Sequence, residues 1–201
     1  RQNSTNGIIT VFAGSASRPF AQKMCDYLGV ELGKSTTHIF SEGGIYVRAD
    51  ESIRNKDVYI VQSIGKDPNN AFTELIFWID AFKRASANSI TAIIPYFGYA
   101  KADKKDEPRV SIRARVCADC IEMCGADRVV TMDLHAAQVQ GFFSKPVDHL
   151  YASALLCEYA RHLGIVNENL VVVSPDAGSA KRARAYANIC CLLYTSDAAD
   201  D

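Results

Sequence analysis

No stretch of this chain stays apolar for the length that a bilayer crossing needs, and the opening residues RQNSTNG carry no hydrophobic segment of a secretory signal. A soluble, cytoplasmic protein with no membrane partner is the expectation. A surplus of charge is also lacking: 22 Lys and Arg stand against 23 Asp and Glu, a formal net charge of −1. Nothing global therefore draws the chain to nucleic acid, and an anionic ligand has to be recognised locally. The cysteines lack a pattern as well. Their number, seven, is odd, and Cys117, Cys120 and Cys124 recur at helical spacing, with no second pair or nearby histidine to complete a tetrahedral metal set. They read as reduced packing residues.

What is present is apolar material in short, regularly spaced pieces. The 201 residues allow one large or two small domains, and 48% hydrophobic content suffices for a packed core. Continuous apolar runs at 7–13, 57–63, 90–95, 128–133 and 170–174 suit parallel strands covered on both faces. Helical patterns alternate with them. The clearest, 69–87, places Phe72, Leu75, Ile76, Ile79 and Phe82 on one stripe; others run from Ser17 to Leu28, Ser111 to Cys124, Ala152 to Leu163 and Ala177 to Asn188. Strand and helix in repetition predict an α/β fold with a doubly wound parallel sheet, and residues 38–49 read as an inserted hairpin.

In such sheets ligands bind beyond the carboxyl ends of the strands. Three of those ends are polar in a suggestive way. After the 90–95 run comes YFGYAKADKKDEPRV (96–110), long for a compact domain, with aromatics able to stack on a base and with Lys101, Lys104, Lys105 and Arg109 able to face phosphates. A solvated charged loop is the plain alternative. After the 128–133 run come Asp133 and His135, two residues apart, which in extended backbone would share a side and could hold a hydrated cation and a phosphate oxygen. The plain alternative makes Asp133 a helix cap and His135 an ordinary loop histidine. After the last run, Asp176 and Gly178 lead into a helix bearing Lys181, Arg182 and Arg184. Together these point to a nucleotide or phosphate site.

The segments ESIRNKDVYIVQS, DAFKRASANSITAIIPYFGYA, GADRVVTMDLHAAQVQGFF, PVDHLYA and VSPDAG, in order from about Ile8 to about Asn188, resemble the ribose-phosphate diphosphokinase (phosphoribosyl pyrophosphate synthetase) family. The resemblance implies two phosphoribosyltransferase-like domains. Residues 1–151 would form the first, 152–188 would begin a truncated second, and 189–201 would be a tail foreign to the family. It implies transfer of the β,γ-diphosphoryl group of MgATP to ribose 5-phosphate, giving phosphoribosyl diphosphate and AMP, with Mg²⁺ as cofactor. Carried over by position, the metal residues fall on Asp133, His135, Asp148 and Asp176, and His135 also belongs to the ATP site. The adenine site, shared between subunits of a hexamer, falls on the hairpin Phe40, Ser41, Glu42, Gly43 and Gly44, with Phe40 stacking, and on the loop with Lys101, Ala102 and Asp103. Gln138 and Gln140 are assigned to shaping the turn.

The departures from the family fall on this chemistry. FSEGG stands where FSDGE is common, so Glu42 is longer and Gly44 lacks a carboxylate. Lys101 and Ala102 stand where Arg and Gln are usual, and lysine cannot reproduce a planar guanidinium. Ser144 replaces an acidic residue of some members. The family's flexible catalytic loop and its ribose-phosphate loop are expected beyond the end of this chain, so the catalytic residues themselves are unassigned. Three readings follow: part of an active diphosphotransferase, the favoured one; a non-catalytic regulatory protein that assembles with synthetase subunits; and a related phosphoribosyltransferase or nucleotide-binding module. The isolated chain, with its second domain unfinished, is expected to aggregate or form irregular oligomers.

Overall fold

The computed structural model describes residues 9–167 and 169–190, and the backbone of 193–196. It divides into two compact units between Leu150 and Tyr151. The first is built on a sheet of five parallel strands, β1 (Ile9–Ala13), β4 (Asp57–Val61), β5 (Ser89–Ile94), β6 (Arg128–Met132) and β7 (Val147–Leu150), side by side in that order. Alternation along the strands sorts side chains to two faces. Phe12, Val58, Ile60, Ala92 and Ile94 pack on one, under helices α2 (Pro68–Arg84) and α3 (Arg113–Cys124). Val11, Ala13 and Val61 pack on the other, under Ala21 and Cys25 of helix α1 (Arg18–Leu28). Helices on both faces of a parallel sheet make the α/β fold doubly wound. The antiparallel hairpin of β2 (Ser35–Ile39) and β3 (Ile45–Ala49) lies between β1 and β4 in the chain and leans on α2 through Val47 and Ala49.

Local chemistry accounts for the element ends. Helix α2 starts where the Asp67 carboxylate accepts the Asn70 N–H at 3.4 Å and Pro68 occupies the first turn. Its stripe is deeper than the apolar pattern showed: Leu75, Trp78, Ile79 and Phe82 are wholly buried, and Glu74 is buried beside them. The hairpin turn closes with Phe40 N–H to the Gly44 carbonyl at 2.8 Å and Gly43 N–H to the Phe40 carbonyl at 2.9 Å. Gly43 sits at φ +89°, where a side chain would be strained.

Two differences from the sequence reading concern the strands. The fourth apolar run ends as a strand at Met132 and excludes Asp133. A fifth strand, β7, was not read at all, because VDHL is four residues long and mixes charge with apolar groups. The second unit contains helix α4 (Ser153–His162), strand β8 (Val171–Ser174), helix α5 (Ala180–Cys190) and strand β9 (Leu193–Ser196), with β8 and β9 paired in parallel. The backbone at 193–196 thus continues the parallel pattern inside the stretch read as a foreign tail; residues 197–201 lie outside those described.

Candidate functional site

The carboxyl ends of β5 and β6 carry the candidate groups. Immediately past β6, Asp133 turns into the left-handed region at φ +45°. That conformation costs a non-glycine residue about 1 kcal/mol, and aspartate tolerates it better than most. The turn is pinned: Asp133 N–H donates to the Leu150 carbonyl at 2.9 Å, and the next amide, of Leu134, donates to His149 Nε2 at 2.9 Å. Leu134 is buried in the main core, while Asp133 and His135 on either side of it are exposed. Both polar groups therefore meet solvent around an apolar anchor, and not through the extended backbone that the sequence suggested. A short 3₁₀ segment, Ala137–Phe142, follows, with Val139 in the core.

The loop after β5 is anchored and not merely solvated. Phe97, Ala100 and Ala102 are buried, and Ala114 N–H returns to the Ala102 carbonyl at 3.1 Å. Gly98 lies so close to β4's continuation that a Cβ there would stand 2.1 Å from the Ile64 carbonyl oxygen. Beyond these anchors, Lys101, Lys104 and Arg113 line a cleft of about 450 Å³ together with Asp106 and Glu107. Gln138 Nε2 donates to Asp103 Oδ2 at 2.9 Å, tying this loop to the segment after β6. Gln138 thus links two loops, beyond the turn-shaping role assigned to it, whereas Gln140 does shape its own turn by donating to the Ala137 carbonyl at 2.9 Å. Ala102, carried over as an ATP contact, is 9% exposed and lines the same cleft, with its carbonyl taken by the Ala114 N–H.

The other carried-over positions stand elsewhere. Asp148 lies within β7, opposite Val130, and its carboxylate is engaged by Arg128 at 2.6 Å, at the start of β6 and not at its carboxyl end. It does not join Asp133 and His135. The cause is register: Asp148 comes two residues before the strand end that faces them. Phe40 is exposed at the hairpin and makes edge contacts with His38 at 4.9 Å and Tyr46 at 6.4 Å between ring centroids. Glu42 and Gly44 are exposed in the same turn. In the second unit, Asp176 is exposed and caps the 3₁₀ turn Ala177–Ser179, accepting the Ser179 N–H at 2.6 Å. Lys181, Arg182 and Arg184 are exposed on α5. Among the described residues, no three carboxylate, imidazole or thiolate groups converge as a cage for one metal ion.

Two features carry no apolar signal and were not read from the sequence. Glu74, 2% exposed, accepts from Ser15 N–H at 2.9 Å and from the Ser15 hydroxyl, from Gln62 Nε2 at 2.9 Å, from Trp78 Nε1 at 3.3 Å and from Thr37 Oγ1 at 3.3 Å. One carboxylate so joins the ends of β1 and β4 to the hairpin. A lone acid on an otherwise apolar helical stripe was the available signal. The second is His149: burial holds its imidazole below the ordinary value, against the opposing pull of Asp133.

An open parallel α/β domain whose polar side chains gather beyond the carboxyl ends of β5 and β6 falls in the class that receives ligands there. Comparison narrows the class. The model of the N-terminal domain of ribose phosphate pyrophosphokinase matches residues 9–125, and the chain belongs to the ribose-phosphate pyrophosphokinase family. It is 51% identical over 178 residues to a ribose-phosphate pyrophosphokinase of Porphyromonas gingivalis, covering 89% of this chain and 56% of that protein. It is 48% identical over 185 residues to that of Deinococcus radiodurans, covering 92% and 58%. The crystal structure of phosphoribosylpyrophosphate synthetase from Mycobacterium smegmatis superposes with a TM-score of 0.88 at 40% identity, over 96% of this chain and 65% of that one. The chain spans a little over half the length of the curated relatives it matches.

Proposed function

We propose that this chain forms the nucleotide-binding part of a ribose-phosphate diphosphokinase, which transfers the β,γ-diphosphoryl group of MgATP to the anomeric hydroxyl of ribose 5-phosphate. The observation that carries the reading is the pinned left-handed turn at Asp133, which presents a carboxylate and the His135 imidazole at the carboxyl end of a parallel strand, in a chain of this family. In the reaction, the hydroxyl oxygen on the anomeric carbon attacks the β-phosphorus, the bond from that phosphorus to the oxygen bridging to the α-phosphate breaks, and AMP leaves. The hydroxyl proton passes to solvent or a base. Such transfer depends on in-line placement and on neutralising charge.

The residues fit Mg²⁺ that arrives with the nucleotide. Magnesium keeps waters and is held by one or two carboxylates plus substrate phosphates, and not by an all-protein cage. Asp133 would hold it in the first unit, and Asp176 is the corresponding candidate in the second. The ion supplies charge neutralisation at the phosphates when bound. His135 suits a phosphate oxygen better than the metal, since magnesium prefers oxygen ligands. Lys101 and Lys104, on a loop tied to this segment by Gln138 and Asp103, are placed to balance polyphosphate charge. Phe40 offers an exposed ring for the adenine, and the replacement of a carboxylate by Gly44 is expected to weaken discrimination among bases. Assembly as a hexamer, which the resemblance implies, belongs to the same proposal.

The test uses the full-length protein with ATP, ribose 5-phosphate and Mg²⁺. Formation of AMP and phosphoribosyl diphosphate in equal amounts, dependent on all three, is the expected result. AMP formation that ignores ribose 5-phosphate, or none under any condition, would overturn the proposal.

A further inference from the structure

The turn that presents Asp133 and His135 does not hold itself. Its backbone is left-handed at a residue with a side chain, and no regular element continues it directly, since the next segment begins at Ala137. Two bonds from β7 stand in for that missing continuity. One is backbone to backbone, Asp133 N–H to the Leu150 carbonyl at 2.9 Å, and any residue at position 150 would supply it. The other is specific to a side chain: Leu134 N–H, flanked by a buried leucine side chain, finds its acceptor in the ring nitrogen Nε2 of His149, at 2.9 Å.

The ring can serve only one donor. A neutral imidazole has a single acceptor nitrogen. Among the ring's contacts are Leu134 N–H at Nε2, at 2.9 Å, and Gln140 Nε2, which lies 3.4 Å from Nδ1. The shorter, backbone contact takes the acceptor site, so the proton sits on Nδ1. The Gln140 amide nitrogen donates to the Ala137 carbonyl at 2.9 Å, and with the proton on Nδ1 its second N–H has no acceptor in that ring nitrogen.

We infer that His149 is a positioning residue that locks the Asp133 to His135 turn through the Leu134 amide. It touches no reacting atom. It acts by holding the carboxylate before it and the imidazole after it in the orientation that receives the nucleotide's phosphates, and in this it rests on the function proposed above. Misplacement of such a turn by about 1 Å is enough to cost on the order of 100-fold in rate, and loss of a supporting partner behind a metal-site residue costs about 10–100-fold in affinity or activity.

Two measurements on full-length protein separate this inference from the function it rests on. The first needs no substrate: nitrogen-15 labelling of histidine and leucine reads the His149 tautomer and the exchange rate of the Leu134 amide. A proton on Nδ1 in the wild type, and Leu134 exchange at least tenfold faster in His149→Phe, are expected. His149→Asn, with an amide oxygen to accept, should restore protection in part. The second is kinetic: His149→Phe should raise KM for ATP about tenfold or lower kcat by a similar factor, with KM for ribose 5-phosphate within twofold and with rescue by Asn. A proton on Nε2, or Leu134 exchange unchanged in both variants, would overturn the positioning role even in an active enzyme. A wild type without diphosphoryl transfer would sink the proposed function and leave the first measurement to decide the role of His149. If the Phe variant does not fold, the wild-type tautomer together with His149→Asn decides the matter.

Discussion

At residue scale, single contacts explain departures that the family comparison alone leaves open. Ser144, expected to replace an acid, donates to Glu122 Oε2 at 2.7 Å, while Lys145 N–H donates to the other oxygen at 2.7 Å. Burial raises the Glu122 carboxyl, but these bonds outweigh it and hold the group below its ordinary value. A depressed carboxylate contributes stability above its unfolded value, near pH 4.3, and loses it as pH falls through the folded value. Glu122→Gln should therefore flatten the acid limb of a stability profile followed by thermal melting between pH 6 and pH 3. An unchanged limb would show that the bonds contribute nothing. Ser144→Asp should lower the melting temperature at neutral pH, since it sets one carboxylate against another, and should do so less at low pH. Gly98→Ala tests the loop anchor: a methyl 2.1 Å from the Ile64 carbonyl forces the loop to move, at about 1–3 kcal/mol by urea unfolding.

At the scale of elements, Glu74 ties helix α2, the ends of β1 and β4, and the hairpin together. Glu74→Ala leaves several buried donors unpaired and should destabilise by about 3 kcal/mol or more, with faster proteolysis in the β2–β3 hairpin as the local signature. Hairpin cleavage at the wild-type rate would count against a link through Thr37. The element scale also shows why reading the sequence reached as far as it did. Continuous apolar runs mark parallel strands because both faces are covered, so β1, β4, β5, β6 and β8 were legible to within a few residues. The strand β7 was not, because its Asp148 answers to a partner, Arg128, twenty positions away in the chain, and pattern within one segment cannot show that. Glu74 escaped for a related reason: periodicity counts apolar residues, and its donors come from four other places in the chain. Asp133 and His135 were legible as residues, but their geometry was not. A left-handed backbone held from a neighbouring strand has no local signature when the residue is not glycine.

For the molecule as a whole, the second unit exposes a stripe on α4, with Leu155 66%, Tyr159 62% and, just past the helix, Leu163 56% exposed at successive helical turns. Val171 and Val173 of β8 are also exposed. Apolar surface of this kind favours association. The isolated 201-residue chain should form concentration-dependent oligomers in sedimentation velocity, and Leu155→Lys with Tyr159→Lys should shift it toward monomer. A single monomer peak for the unmodified chain at high micromolar concentration would contradict this. The same unit holds Asp176 as a cap and a basic first stretch of α5, so its part in the chemistry is to be tested on the full-length protein.

The central claim is that the carboxylate of Asp133 serves the diphosphoryl transfer, and Asp133→Asn tests it most directly. Asparagine also tolerates the left-handed backbone, so the turn survives while the charge is removed. The initial rate of phosphoribosyl diphosphate formation by the full-length variant, at saturating ATP, ribose 5-phosphate and Mg²⁺, should fall about 100-fold or more with the melting temperature kept within a few degrees. A variant that retains the wild-type rate under those conditions would contradict the account.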